Sequence, residues 1–265
     1  MSFAKAVKRI FLSIFILSFF PILWSCSSAE PEAYYSEPAY VSPYDWRNLE
    51  LIEGRFYYSK DGNPASKTGV DVSEHQGEID WEAVAADDID FAFIRIGNRG
   101  YTEGIISLDD YYYSNISQAR DAGLEIGVYF FSQAINPEEA REEARFVLNN
   151  LDGVELDFPV VYDHEPISDH DGRANHLNPT QLSENAQAFC SVIEEAEKSV
   201  MIYGNNNDIK KLHPEILNSR SVWFAEYNAL HPSGQFDFVM WQYTSSGNVA
   251  GINTPADMNI YFLAP

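Results

Sequence analysis

The chain has 265 residues, a formal charge of −23 and 14% aromatic residues. An acidic excess of that size excludes the electrostatic footprint of a nucleic-acid binder and gives no attraction to anionic membranes or anionic polymers. Two cysteines allow at most one disulfide, and none where either is used otherwise, so the core must hold the fold with little or no covalent help. Roughly 200 residues beyond the N-terminal segments suffice for one large domain.

Lys5, Lys8 and Arg9 precede an almost purely apolar run from Ile10 to Trp24. A basic start, an apolar run of this length and small residues after it read as an export signal, and the run is too short for a comfortable membrane span. The tetrad Leu23-Trp24-Ser25-Cys26 resembles a bacterial lipobox. That resemblance implies a lipoprotein-type signal over 1–25 and acylation at Cys26. It also implies anchoring to a bacterial membrane, with Ser27 resembling outer-membrane sorting. An ordinary signal peptide with an incidental cysteine is the alternative. Loss of the three basic residues takes the charge from −23 to −26. Cys190, among Ala188, Phe189, Val192 and Ile193, follows the apolar pattern of a helix and reads as core.

Residues 26–54 read as an acidic tether. Pro31, Pro38 and Pro43 interrupt Ser, Ala, Glu and Tyr with no sustained period, although wrapping onto a domain through the tyrosines is the other reading. Residues 55–68 read as a lead-in hairpin with Asp61-Gly62 at its turn. From 69 to 265 strands and helices alternate. The pattern predicts strands at 69–73, 91–96, 125–131, 158–165 and 199–204. Helices are expected at 81–86, 111–122, 137–149 and 180–197, the third opened by Pro137 at a favoured first-turn position. Strands at 221–226, 238–243 and 258–262 follow with links too short, and too rich in Pro, Gly, Ser and Asn, for crossover helices. Eight strands with about five helices predict an α/β barrel, TIM-like but irregular in its last third.

In such barrels chemistry sits at the C-terminal strand ends. Those ends collect Asp71, Arg95, Tyr129, Asp163, Glu165, Tyr203, Glu226, Tyr227, Trp241 and Gln242. The fourth strand, Phe158-Pro-Val-Val-Tyr-Asp-His-Glu165, is apolar and β-branched before it closes on two acids one residue apart. Alternation puts Asp163 and Glu165 on one face and points His164 away. One carboxyl held protonated beside one held charged suits glycosidic chemistry. A solvated strand end capping the next helix is the bland alternative. Tyr129, Tyr203, Tyr227, Glu226, Trp241, Gln242 and Arg95 are candidates for substrate binding. The aromatic ones could equally be core, and Arg95 an internal partner of the acids.

Asp71-Val-Ser-Glu-His-Gln-Gly77 with Ile79-Asp-Trp81 resembles the opening motif of glycoside hydrolase family 25, the CH-type lysozymes. Phe93-Ile-Arg-Ile-Gly97, Gly127-Val-Tyr-Phe-Phe131, Asp163-His-Glu165, Ile202-Tyr-Gly204, Trp223-Phe-Ala-Glu-Tyr227, Trp241-Gln-Tyr243 and Asp257-Met-Asn259 follow in the family's order. The resemblance implies a flattened (β/α)5(β)3 barrel, no metal, no cofactor and a monomer acting on peptidoglycan glycan strands. The bond implied is the β-1,4 link from N-acetylmuramic acid to N-acetylglucosamine. Carried over by position, Glu165 is the proton donor, Asp163 the assisting carboxylate, and Asp71 and Asp257 complete the acidic cluster. Phe130 departs from the family by standing where many members have His. A chitinase-type β-glycan hydrolase and a catalytically idle glycan-binding lipoprotein are the competing readings. The loop 168–178 holds Asp169, His170, Asp171 and His176 but lacks the full calcium-loop pattern.

Overall fold

A computed structural model describes residues 40–151, 153–168 and 170–263. The expected export signal, Cys26 and most of the segment read as a tether lie outside the described residues. Twelve strands occur among them: β1 (Leu49–Ile52), β2 (Arg55–Lys60), β3 (Asn63–Pro64), β4 (Ser66–Val72), β5 (Phe91–Arg99), β6 (Ile106–Leu108), β7 (Glu125–Phe131), β8 (Val160–Asp163), β9 (Val200–Asn205), β10 (Ser221–Ala225), β11 (Met240–Gly247) and β12 (Ala256–Phe262). The helices are α1 (Trp81–Ala86), α2 (Tyr112–Asp121), α3 (Pro137–Asn150), α4 (Pro179–Glu195) and the short α5 (Asn206–Ile209) and α6 (Pro214–Asn218).

Eight strands close into a barrel in the order β4-β12-β11-β10-β9-β8-β7-β5, with β5 pairing back onto β4. Pairing is parallel from β4 through β5, β7, β8, β9 and β10 to β11. Only β12 runs antiparallel to both neighbours. The closed, irregular α/β barrel read from the alternation is therefore the fold. Helix starts follow local chemistry. Asn136 accepts from Glu139 N ahead of Pro137, and Asn178 accepts from Gln181 N ahead of Pro179, so each cap satisfies a backbone donor that the first turn leaves free.

Barrel strands are buried on both faces, and alternate side chains join two separate cores. Outward residues pack beneath the helices, whereas Phe91, Phe93, Phe158, Val161, Met201, Trp223 and Met240 fill the interior. Two glycines make room for that filling. A Cβ on Gly69 would lie 2.2 Å from the Phe91 ring, and one on Gly127 2.3 Å from the Phe93 ring.

Residues 44–54 differ from the tether read as far as 54 and follow the other reading, wrapping onto the domain. Tyr44 is buried, donates from Oη to Phe238 O at 3.0 Å and packs on Phe262 with ring centroids 4.4 Å apart. Phe56 packs on Trp241 at 4.7 Å and Tyr243 at 5.1 Å. The reason is the missing crossover helices: β11 and β12 have apolar outer faces with no helix over them, and this lead-in segment covers them. The barrel also starts at Ser66, which pairs with Phe262, earlier than the residue 69 read from sequence.

Candidate functional site

Along each parallel strand the inward side chains change character toward the C-terminal end. On β5 the series is Phe91, Phe93, Arg95; on β8 it is Val161, Asp163; on β9 Met201, Tyr203; on β11 Met240, Gln242. Because β12 runs the other way, its first residues reach the same end, and Asp257 pairs directly with Asp71. The result is a cleft of about 500 Å³. It brings together Asp71, Arg95, Tyr129, Asp163, Glu165, Tyr203, Tyr227, Gln242 and Asp257 from the sequence-read residues.

Two of those residues are elsewhere. Trp241 is wholly buried outside the barrel against Phe56, its Nε1 donating to Glu226 O at 2.8 Å. Its neighbour Gln242 takes the inward position. Glu226 turns from the cleft and accepts from Ser233 N at 2.7 Å and from the Ser233 hydroxyl. Both are therefore packing and loop residues, which corrects their reading as substrate contacts. Glu165 is also misplaced by the sequence in one respect. The strand ends at Asp163, so Glu165 stands on the following loop, still facing the cleft.

That loop is clamped. Ser132 N donates to Asp163 O at 2.7 Å, His164 Nδ1 donates to Ser132 O at 3.2 Å, and Gln133 Nε2 donates to Glu165 O at 2.8 Å. Gln133 is fully buried. His164 thus braces the loop from the side away from the cleft. Phe130 likewise faces outward, buried against Phe146 and Phe189.

Asp71 is held by two amides, Gln242 Nε2 and Asn259 Nδ2, each donating to Oδ2 at 2.8 Å. Behind them, Tyr203 and Tyr227 hydroxyls donate to Gln242 Oε1 at 2.8 and 2.7 Å, and Trp223 Nε1 donates to Asn259 Oδ1 at 2.8 Å. Each amide oxygen is thus satisfied, and each amide nitrogen directs an N–H at the acid. Arg95 is engaged by Asp109 at 2.8 Å and Glu74 at 2.9 Å, so it forms part of the wall, already neutralised.

The four acids perturb one another. Burial, and then Asp257, hold the Asp71 carboxyl well above the usual range despite the two amide donors. Burial, followed by Glu165 and Asp71, does the same to Asp163. Asp163 Oδ1 is buried with no hydrogen-bond partner among the described residues. Glu165 is raised to about 7 by burial and then by Asp208 and Asp257, and Asp257 to about 6 by burial. Like charges crowded in a low-dielectric site cannot all ionise, so protons are retained there at neutral pH. A donor beside an acceptor is what acid–base chemistry on a poor leaving oxygen needs. Sequence reasoning missed Asp208 and Gln133 as contributors, and it quoted Asn259 only within the Asp257-Met-Asn259 motif, without a role. Outside the cleft, His176 Nε2 lies 2.9 Å from Asp171 Oδ1 on an exposed loop, and no group of three metal-ligating side chains forms among the described residues.

The sequence model of glycosyl hydrolases family 25 matches residues 70–252. The chain is 28% identical over 191 residues to the autolytic lysozyme of Clostridium acetobutylicum, covering 72% of this chain and 54% of that protein. It is 31% identical over 208 residues to the uncharacterized YegX of Escherichia coli K12, covering 75% and 71%. The fold is similar to that of the modular autolysin LytC of Streptococcus pneumoniae, with a TM-score of 0.68 at 24% identity over 81% of this chain and 52% of that one. LytC is also known in complex with a synthetic peptidoglycan ligand. This chain spans about half the length of the autolytic lysozyme and of LytC.

Proposed function

The chain belongs to family 25 of the glycosyl hydrolases, and on that premise we propose that it is a lysozyme acting on peptidoglycan. The bond cleaved is the β-1,4 link from N-acetylmuramic acid to N-acetylglucosamine. The observation that carries this reading is the Asp163–Glu165 pair, both facing one cleft, with the Glu165 carboxyl raised to about 7 and an Asp163 oxygen buried without a partner. LytC's binding of a peptidoglycan ligand supports the substrate class.

Glu165 gives its proton to the glycosidic oxygen as the C1–O bond breaks, so the departing N-acetylglucosamine leaves as a neutral alcohol. Asp163 acts on the sugar side. In this role Asp163 is the ionised member of the cluster, the retained protons resting on Glu165 and Asp71. Its free oxygen accepts a hydrogen bond from the attacking water or from the substrate's own acetamido N–H, and its charge opposes the positive charge developing at C1. Asp71, fixed by Gln242 and Asn259, and Asp257 keep the cluster's protons in place. Water supplies the hydroxyl at C1. Its other proton goes to Asp163 when water attacks directly, and exchange with solvent then restores Glu165, or it goes to Glu165 itself when the acetamido group has attacked first. The N-terminal lipid anchor at Cys26 rests on residues 23–26 alone and is proposed with the same enzyme.

Mass spectrometry of products from defined peptidoglycan tests the reading. N-acetylmuramic acid at the new reducing end is the expected outcome. N-acetylglucosamine there would refute the bond assignment, turnover of chitin oligomers alone would favour the chitinase reading, and binding without products would leave a glycan-binding protein.

A further inference from the structure

One wall of the cleft has nothing to do with the carboxylates. It is made by Tyr101, on the loop between β5 and β6, and by Ile167, two residues beyond Glu165 on the same loop. Tyr101 is 38% exposed. A tyrosine at that exposure on an irregular loop is ordinarily free to swing, yet here it is fixed from several sides. The His170 ring stacks behind it, with centroids 5.5 Å apart and planes 7° from parallel. Its carbonyl accepts from Arg173 N at 2.9 Å. Arg173 in turn binds Glu139 of α3 through both oxygens, at 2.7 and 2.9 Å. On the other loop, Asn175 holds Ile167 by both backbone groups, at 2.8 and 2.9 Å. Gly104, at φ +70°, leaves room for the Arg173 guanidinium, which a Cβ would approach to 2.4 Å.

We propose that Tyr101, backed by His170 and flanked by Ile167, is a sugar-stacking subsite that holds one pyranose ring of a longer glycan strand beside the Glu165 end of the cleft. The inference rests on reading the cleft as a glycan site. Pyranose rings present C–H faces that pack on aromatic rings, and Tyr101 offers such a ring on the wall that also carries Ile167. A ring already immobilised by its neighbours loses little conformational freedom on binding, so contact area converts into affinity. The wall also carries no charge, so it adds binding without further disturbing the protons held on the acids. Closing the two loops together requires only the Arg173, Glu139 and Asn175 links. The Tyr101 ring at the cleft surface, stacked on His170, goes beyond that need.

The test compares alternating N-acetylglucosamine–N-acetylmuramic acid tetrasaccharide and octasaccharide. Both turnover by the full chain and calorimetric binding to its Glu165→Gln variant are measured. Tyr101→Ala is expected to weaken octasaccharide binding and raise its KM by about tenfold more than for the tetrasaccharide, with Tyr101→Phe close to wild type and His170→Ala intermediate. Equal losses on both lengths, or melting temperatures lowered in step with the losses, would overturn the subsite and leave Tyr101 a loop-closing residue. An octasaccharide bound as tightly by Tyr101→Ala as by Tyr101 would also overturn it, with the lysozyme reading intact. Absence of any oligosaccharide binding or cleavage by the unmodified chain would remove both.

Discussion

The pH dependence of turnover can be worked from the site. A carboxyl at the ordinary value of 4.5 for Glu165 keeps its proton in about 1 of 300 molecules at pH 7. Burial, Asp208 and Asp257 raise Glu165 to about 7, where about half the molecules hold it. The surroundings thus multiply the active acid at neutral pH by roughly 150-fold. Above about pH 7, kcat/KM should fall about tenfold per unit, because only the protonated form serves the leaving oxygen. The assay is kcat/KM on defined glycan strands from about pH 4 to 10 at constant ionic strength, with Glu165→Gln and Asp163→Asn beside the unmodified chain. Glu165→Gln should remove the basic limb and cost about 10²–10⁴-fold. An aryl glycoside with a good leaving group should lose much less in that variant, and Asp163→Asn should show no such relief. A profile flat to about pH 9, or equal losses in both variants on both substrates, would refute the assignment of acid and assistant.

Asp208→Asn removes the first charge raising Glu165, so the basic limb should move to lower pH while the acid side stays in place; an unmoved limb would clear Asp208 of that role. All four cleft carboxyls have native values above their ordinary ones. The native state therefore binds their protons more tightly than the unfolded chain. The resulting stability is full below about pH 4 and is lost as pH rises through the native values of about 6 for Asp257 and about 7 for Glu165. Melting should come at higher temperature at about pH 5 than at about pH 8, and Asp163→Asn should narrow the gap. Gly127→Ala drives a methyl to within 2.3 Å of Phe93 and should cost about 1–3 kcal/mol in denaturant unfolding; an unchanged midpoint would show that the barrel interior yields. Cys26→Ala should abolish palmitate labelling and detergent partitioning, and a soluble protein with its N-terminus elsewhere would end the lipoprotein reading.

The positions of the helices and strands were legible because each follows from local chemistry. β-branched apolar runs mark strands buried on both faces, and Asn-Pro pairs at 136–137 and 178–179 start helices wherever the chain later packs them. The acids were legible for a related reason. A run such as Val160-Val161-Tyr162 that closes on Asp163 can place its polar end only where the barrel opens. Facing was legible at Asp163, His164 and Glu165, where two acids flank one residue, but not on the later strands. When both faces of a strand are buried, the apolar–polar alternation that tells inside from outside is missing, so Trp241 and Gln242 look equivalent until closure puts one against Phe56 and the other on Asp71. Nor does sequence show which distant groups meet. Asn259 reaches Asp71 because β12 returns antiparallel beside β4. Gln133 reaches Glu165 because β7 lies beside β8. Residues 44–58 fold onto the barrel because β11 and β12 have no helices to cover them. Local sequence determined the elements and the kinds of residue at their ends; barrel closure decided which of those residues share the cleft, since register and strand direction arise only when all eight strands pair.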